Sequence, residues 1–148
     1  MSNKIKQILT EWTIDFIKNK NSFLNTLKKI EKNKEEFDLK VIYQDKEEYI
    51  LIEPENKISE LNKEKNIILF LFNTKENINL LIENWKKFTE YDKLTIYFVN
   101  MFSLADKKWV IKPHFHSKIS DEKFLKKGLS SIYSTVDLIT KEELEKIT

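Results

Sequence analysis

The sequence predicts a single α/β domain, residues 1–148, built on one mixed sheet of five strands. Three observations lead there. Ile67-Ile68-Leu69-Phe70-Leu71-Phe72 is apolar on both faces, as a central buried strand is. A stretch of helical period follows it and ends at a second apolar run, Leu94–Val99. Upstream, two short segments alternate apolar and polar residues on either side of Asp45-Lys46-Glu47. Strand, helix and strand form a βαβ crossover with parallel strands, and the alternating pair forms an antiparallel hairpin.

Along the chain, Ile5, Ile8, Leu9, Trp12 and Phe16 share one face of an opening helix. Ser22 reads as the cap of a second helix, with Phe23, Leu27 and Ile30 on one side. Asp38–Gln44 and Glu48–Glu53 are the hairpin strands, and Pro54 ends the second. A short helical turn is expected around Ile58 and Leu61. Asn73 and Glu76 resemble a capping box at the start of the crossover helix, whose inner face carries Ile78, Leu81, Ile82, Trp85 and Phe88. A fifth strand is expected over Lys108–His116, then a short helix capped by Ser120 with Gly128 at its end. Leu129, Ile132, Tyr133 and Val136 suggest one more helix. Thr140 and Glu143 form a second capping box, opening a C-terminal helix.

Composition excludes several functions. The chain has no cysteine, so disulfides, thiolate metal sites and cysteine nucleophiles are absent. That suits a reducing, cytoplasmic setting. Gly128 is the only glycine, so neither a Walker loop nor a dinucleotide-binding turn can form, and no nucleotide cofactor is expected. All 26 basic residues are lysine, which removes arginine clamps and arginine readout of guanine. No apolar run approaches membrane length, and no membrane partner is expected.

Net charge is +2, but it is unevenly spread. Residues 93–127 hold eight lysines against three acids, whereas residues 37–92 hold eight against twelve. The basic segment points to an anionic partner, a protein or a nucleic-acid backbone, and the lysines that would meet it are Lys107, Lys108, Lys112, Lys118, Lys123, Lys126 and Lys127. On the expected fifth strand, Lys112, His114 and His116 lie two apart and would project to one side. His114 and His116 are the only histidines, and two imidazoles on one side are weak candidate metal ligands or proton carriers. All three tryptophans, Trp12, Trp85 and Trp109, fall on apolar faces and are expected in the core.

The order of helix, hairpin, central strand and crossover over roughly residues 3–100 resembles the restriction-endonuclease-like, PD-(D/E)XK, core. The resemblance is topological, without an intact catalytic motif. It implies an early acid, taken by Asp45, and a Glu-x-Lys set, found as Glu55-Asn56-Lys57 after Pro54, with Glu53 nearby. Such a set would bind Mg²⁺ and activate a water for phosphodiester cleavage. Asp38-Leu39-Lys40 has the same form, but no strand is expected before it. With 24 acids and 26 lysines, triplets of this form arise from composition alone.

Three functions follow. The first is a non-catalytic binding module using the basic strip. The second is a metal-dependent nuclease or phosphoesterase using Asp45, Glu53, Glu55 and Lys57. The third is an oligomeric interaction scaffold docking through two N-terminal helices, where Phe23 and Leu24 cannot both face the core.

Overall fold

Ile67–Phe72 forms the strand around which the sheet is built. The computed structural model describes residues 3–55 and 60–147. In it one sheet of six strands runs in the order β1-β2-β3-β4-β5-β6. These are Leu27–Lys34, Phe37–Tyr43, Glu47–Ile52, Ile67–Phe72, Leu94–Val99 and Lys108–Ile111. The first three form an antiparallel meander; β3, β4 and β5 are mutually parallel, and β6 turns back antiparallel to β5.

Both faces of the sheet are covered, which is why β4 and β5 are apolar on both sides. On one face, Leu69, Leu71, Ile96 and Phe98 pack with α2 (Lys75–Glu83), α3 (Trp85–Thr89) and α5 (Leu125–Tyr133). On the other, Phe70, Phe72 and Val99 pack with α1 (Asn3–Lys20) and α6 (Lys141–Ile147). The remaining helix, α4 (Pro113–Ile119), lies against α3 and β5.

The structure departs from the expected elements at six places. The sheet has six strands rather than five, because the segment expected to be a second helix is β1. Leu27 and Ile30 are three apart, a helical spacing. In β1 an irregularity between Leu27 and Lys29 inserts one extra residue opposite β2, so both side chains reach the same core. β1 also precedes Asp38, so the strand expected to be missing before Asp38-Leu39-Lys40 is present.

The crossover helix is capped by Thr74, whose Oγ1 accepts from the Asn77 N–H at 3.1 Å, and not by Asn73. It breaks at Asn84 into α2 and α3. The fifth expected strand stops at Ile111, because Pro113 has no N–H for a ladder and its fixed φ suits the first turn of a helix. Gly128 lies inside α5, whereas Ser120 ends α4. The C-terminal capping box is present: Thr140 Oγ1 accepts from the Glu143 N–H at 3.1 Å, and the Glu143 carboxylate accepts from the Thr140 N–H at 3.3 Å. Leu61 lies in no helix, and Ile58 lies outside the described residues.

Three buried asparagines fasten the chain at the C-terminal end of the parallel strands. Asn73 is fully buried. Its Nδ2 donates to the Val136 and Asp137 carbonyls, both at 3.1 Å, and its Oδ1 accepts from Trp109 Nε1 at 2.8 Å. Its backbone N–H donates to Val99 O, and its carbonyl accepts from the Ile139 N–H. Asn100 Nδ2 reaches the Asp137 carbonyl at 2.8 Å. Asn77 Nδ2 binds the Pro54 and Phe72 carbonyls, both at 2.9 Å. Residues 136–139 therefore cross the end of the sheet, with Val136 in one core and Ile139 in the other.

Two stability outcomes follow. Asn73→Ala leaves the Trp109 N–H and two carbonyls unpaired in the interior, which costs about 3 kcal/mol or more in urea unfolding. Gly128→Ala stabilises by about 0.5–1 kcal/mol, since a β-carbon there meets only Ser120 Oγ at 4.0 Å in an ordinary helical turn; a Tm that falls contradicts this.

Candidate docking surface

Asp45 lies at the opposite end of β3 from Glu53 and Glu55. Asp45 is exposed in the β2–β3 turn, and Glu53 follows the far end of β3. The seven residues between them, six of them in β3, span roughly 25 Å. Glu53 lines a hollow with Glu36, Phe37 and Leu51, whereas Glu55 lines a different cleft. Lys57 lies outside the described residues. Asp38 is committed to the fold: one carboxylate oxygen accepts from the Ile52 N–H and the other pairs with Lys6, both at 2.7 Å. Among the described residues, no group of three or more His, Asp or Glu side chains is placed to hold a metal ion.

The Glu55 cleft, about 420 Å³, opens beside the N-terminus of α2 and is bounded by Pro54, Thr74, Asn77, Lys141 and Leu144. The neighbouring ends of β4 and β5, where open parallel sheets usually take ligands, are filled by residues 136–139 and their asparagine clamps.

Lys112, His114 and His116 do not share a strand face. Lys112 precedes α4, and the two histidines sit two apart on that helix, about 200° around its axis. Both nevertheless turn toward α3. His114 Nδ1 lies 2.9 Å from the Thr89 carbonyl. His116 packs edge-on against Trp85 at 5.6 Å, and its Nε2 is buried with no hydrogen-bond partner. The geometry makes them packing residues of the α3–α4 contact, not a chelating pair.

Lysines and exposed apolar side chains coincide in the segment from Phe102 to Lys127. Among the described residues, the lysines in ion pairs lie at or before position 65, from Lys6 with Asp38 to Lys65 with Glu35. Among the described residues, none of Lys107, Lys108, Lys112, Lys118, Lys123, Lys126 and Lys127 forms one. Lys107 Nζ instead donates to the Met101 and Ser103 carbonyls, holding the loop before β6. Lys108 Nζ sits 5.4 Å over the Phe16 ring, and Lys118 Nζ 6.0 Å over Phe115. Lys112, Lys123, Lys126 and Lys127 are exposed.

Large apolar side chains stand out among these lysines. Phe115 and Ile119 are one turn apart on α4 and are 54% and 85% exposed; Phe124, just before α5, is 61% exposed. At the other end of β6, Phe102 and Leu104 are exposed as well. Leucine and isoleucine at such exposure gain nothing from the fold itself. Composition located the lysines, but not these residues. On the strand expected over Lys108–His116, Phe115 would alternate with His114 and His116 and face the other side, with Trp109 and Ile111; Pro113 does not allow that strand. Phe23 and Leu24, both exposed, lie in the turn after α1 and not on a second helix. Trp85 and Trp109 are buried as expected, whereas Trp12 is only partly covered, stacked on Phe16 at 5.3 Å.

Comparison with family models, with curated proteins and with solved structures found no match. Among the described residues, no helix is long and apolar enough to cross a membrane.

Burial pushes the His116 imidazole below its ordinary value of 6.5. As pH falls the unfolded chain takes up this proton before the folded one, so the stability present above pH 6.5 is lost as pH drops through that value. His116→Phe keeps an aromatic ring against Trp85 and removes the titration. Urea midpoints measured from neutral to mildly acidic pH then show a flatter slope for the variant; equal slopes rule His116 out as the titrating group.

Proposed function

We propose that the chain is a non-catalytic binding module whose partner is an acidic protein, docked on the lysine-rich face of β6, α4 and the start of α5. The observation that carries this reading is the charge of one segment: residues 93–127 hold eight lysines against three acids, and among the described side chains Lys107 to Lys127 form no ion pair. Such a surplus of cations is a positive field available to a partner. The exposed Phe115, Ile119 and Phe124 within it favour a protein over a nucleic-acid backbone, because an isoleucine gives a phosphate chain nothing to bind. The separation of Asp45 from Glu53 and Glu55 supports the absence of catalysis. The order α1, antiparallel meander, parallel β4 and β5 supports a restriction-endonuclease-like core put to binding use. A cytoplasmic location belongs to this reading, on the cysteine-free composition.

The test is fluorescence anisotropy with labelled polyglutamate and, separately, labelled oligothymidylate. Polyglutamate is expected to bind, with affinity falling steeply as salt rises. Reversal of Lys118, Lys123, Lys126 and Lys127 to glutamate weakens it about tenfold or more, whereas reversal of Lys28 and Lys32 on β1 has little effect. Tighter binding of oligothymidylate would make the partner a nucleic acid. Binding of neither probe sinks the reading.

A further inference from the structure

The two edges of the sheet are treated differently. β1 carries Lys28, Lys29, Lys32 and Lys34, an irregularity in its pairing, and left-handed backbone at Asn25, Asn33 and Glu35 around its ends. These are devices that stop another strand from pairing. β6 has no irregularity in its register with β5.

The hydrogen-bond pattern shows what β6 leaves open. The Asn100 N–H donates to Lys107 O at 2.8 Å. Antiparallel pairs alternate between hydrogen-bonded and non-hydrogen-bonded, so the next hydrogen-bonded pairs are Phe98–Trp109 and Ile96–Ile111. The backbone N–H and C=O groups of Lys108 and Val110 therefore point away from β5. Val99, opposite Lys108, confirms the phase, because its carbonyl is taken by Asn73 on the β4 side. Among the described residues, no backbone group accepts from or donates to Lys108 or Val110 on that outer side. The Lys108 ammonium lies over Phe16 and does not guard the edge.

We propose that this edge receives an extended acidic segment of the partner protein as a seventh strand, an inference that rests on the docking surface proposed above. The main-chain groups of Lys108 and Val110 supply the pairing. Lys107 and Lys112 supply charge complementary to acidic side chains on the incoming strand. Phe102 and Leu104 before β6, and Phe115 and Ile119 after it, supply apolar anchors at its two ends. Main-chain bonds then give affinity, and the anchors give selectivity. A second copy of this chain fits less well, since it would bring the same lysine-rich segment against itself.

The test compares two labelled peptides of equal length and charge, one alternating Glu and Val, the other alternating N-methyl-Glu and Pro. The second has no backbone N–H to donate along its length, so only the first can form a ladder. It is expected to bind about tenfold more tightly or better. Val110→Pro removes an N–H that the fold does not use, in backbone already extended, so its Tm stays close to that of the parent. It should abolish the advantage of the Glu-Val peptide and leave the other peptide unchanged. Should Val110→Pro fail to fold, amide exchange on the parent decides instead. Lys108 and Val110 amides exchange fast while Trp109 and Ile111 are protected, and the Glu-Val peptide slows the first pair. Equal binding of both peptides, insensitivity to Val110→Pro, or slow exchange of Lys108 and Val110 in the free chain overturns strand addition and leaves the charged docking surface standing. Binding of neither peptide removes both. A dimer of the free chain that Val110→Pro dissociates assigns the edge to self-association and overturns the acidic occupant.

Discussion

The molecule depends on one buried carboxamide. Asn73 ends β4 and links β5, the Trp109 ring on β6, and the segment that crosses the end of the sheet. An interior amide costs free energy unless its donors and acceptor are met, and here each finds a partner. The consequence reaches well beyond one residue. Because Val136 and Ile139 are held over the strand ends, α5 and α6 are fixed on opposite faces, and both cores close. The same clamp fills the place where an open parallel sheet would offer a crevice. Stability at this end of the sheet and the filling of the space beyond β4 and β5 have one cause.

Much of the architecture was legible because burial imposes period on sequence. Ile67–Phe72 and Leu94–Val99 had to be central strands, and Leu39, Val41 and Tyr43 had to alternate. Three of the failures share a feature too: each turned on a single residue that breaks a period. Lys28 is the extra residue that lets Leu27 and Ile30, spaced as on a helix, line one side of a strand. Asn84 breaks a helix whose apolar pattern runs straight through it. Pro113 stops a strand whose alternation continues to His116 on paper. A proline in a run that otherwise reads as strand was itself the available signal, and it outweighs three residues of alternation.

The candidate site was legible in charge and not in place. Counting gave the basic segment, since net charge by segment survives any error in secondary structure. Orientation does not survive such an error. Moving Lys112, His114 and His116 from a strand to a helix scattered them and turned the two imidazoles into packing groups against α3. The exposed Phe115 and Ile119 went unseen for the same reason, because inside and outside are defined only once the period is known. The acidic residues carried a different ambiguity. In a chain so rich in both charges, acid-x-lysine spacing carries little information, and only the distance along β3 separates Asp45 from Glu53.

The unequal edges bear on how such a domain stays soluble while remaining able to pair. An open strand edge invites its own copies as readily as a partner. The chain guards β1 with lysines along its length, where each side chain interrupts an approaching strand. On β6 the cations fall at the ends, at Lys107, Lys108 and Lys112, with Trp109, Val110 and Ile111 between. Positive charge there still repels another copy at a distance, because both carry it, yet it leaves the middle of the edge open to a strand of opposite sign. Discrimination between self and partner then comes from long-range charge, and pairing from the backbone, which is the same for every sequence. Such an arrangement needs no pocket and no catalytic group, and it uses the lysine surplus of residues 93–127.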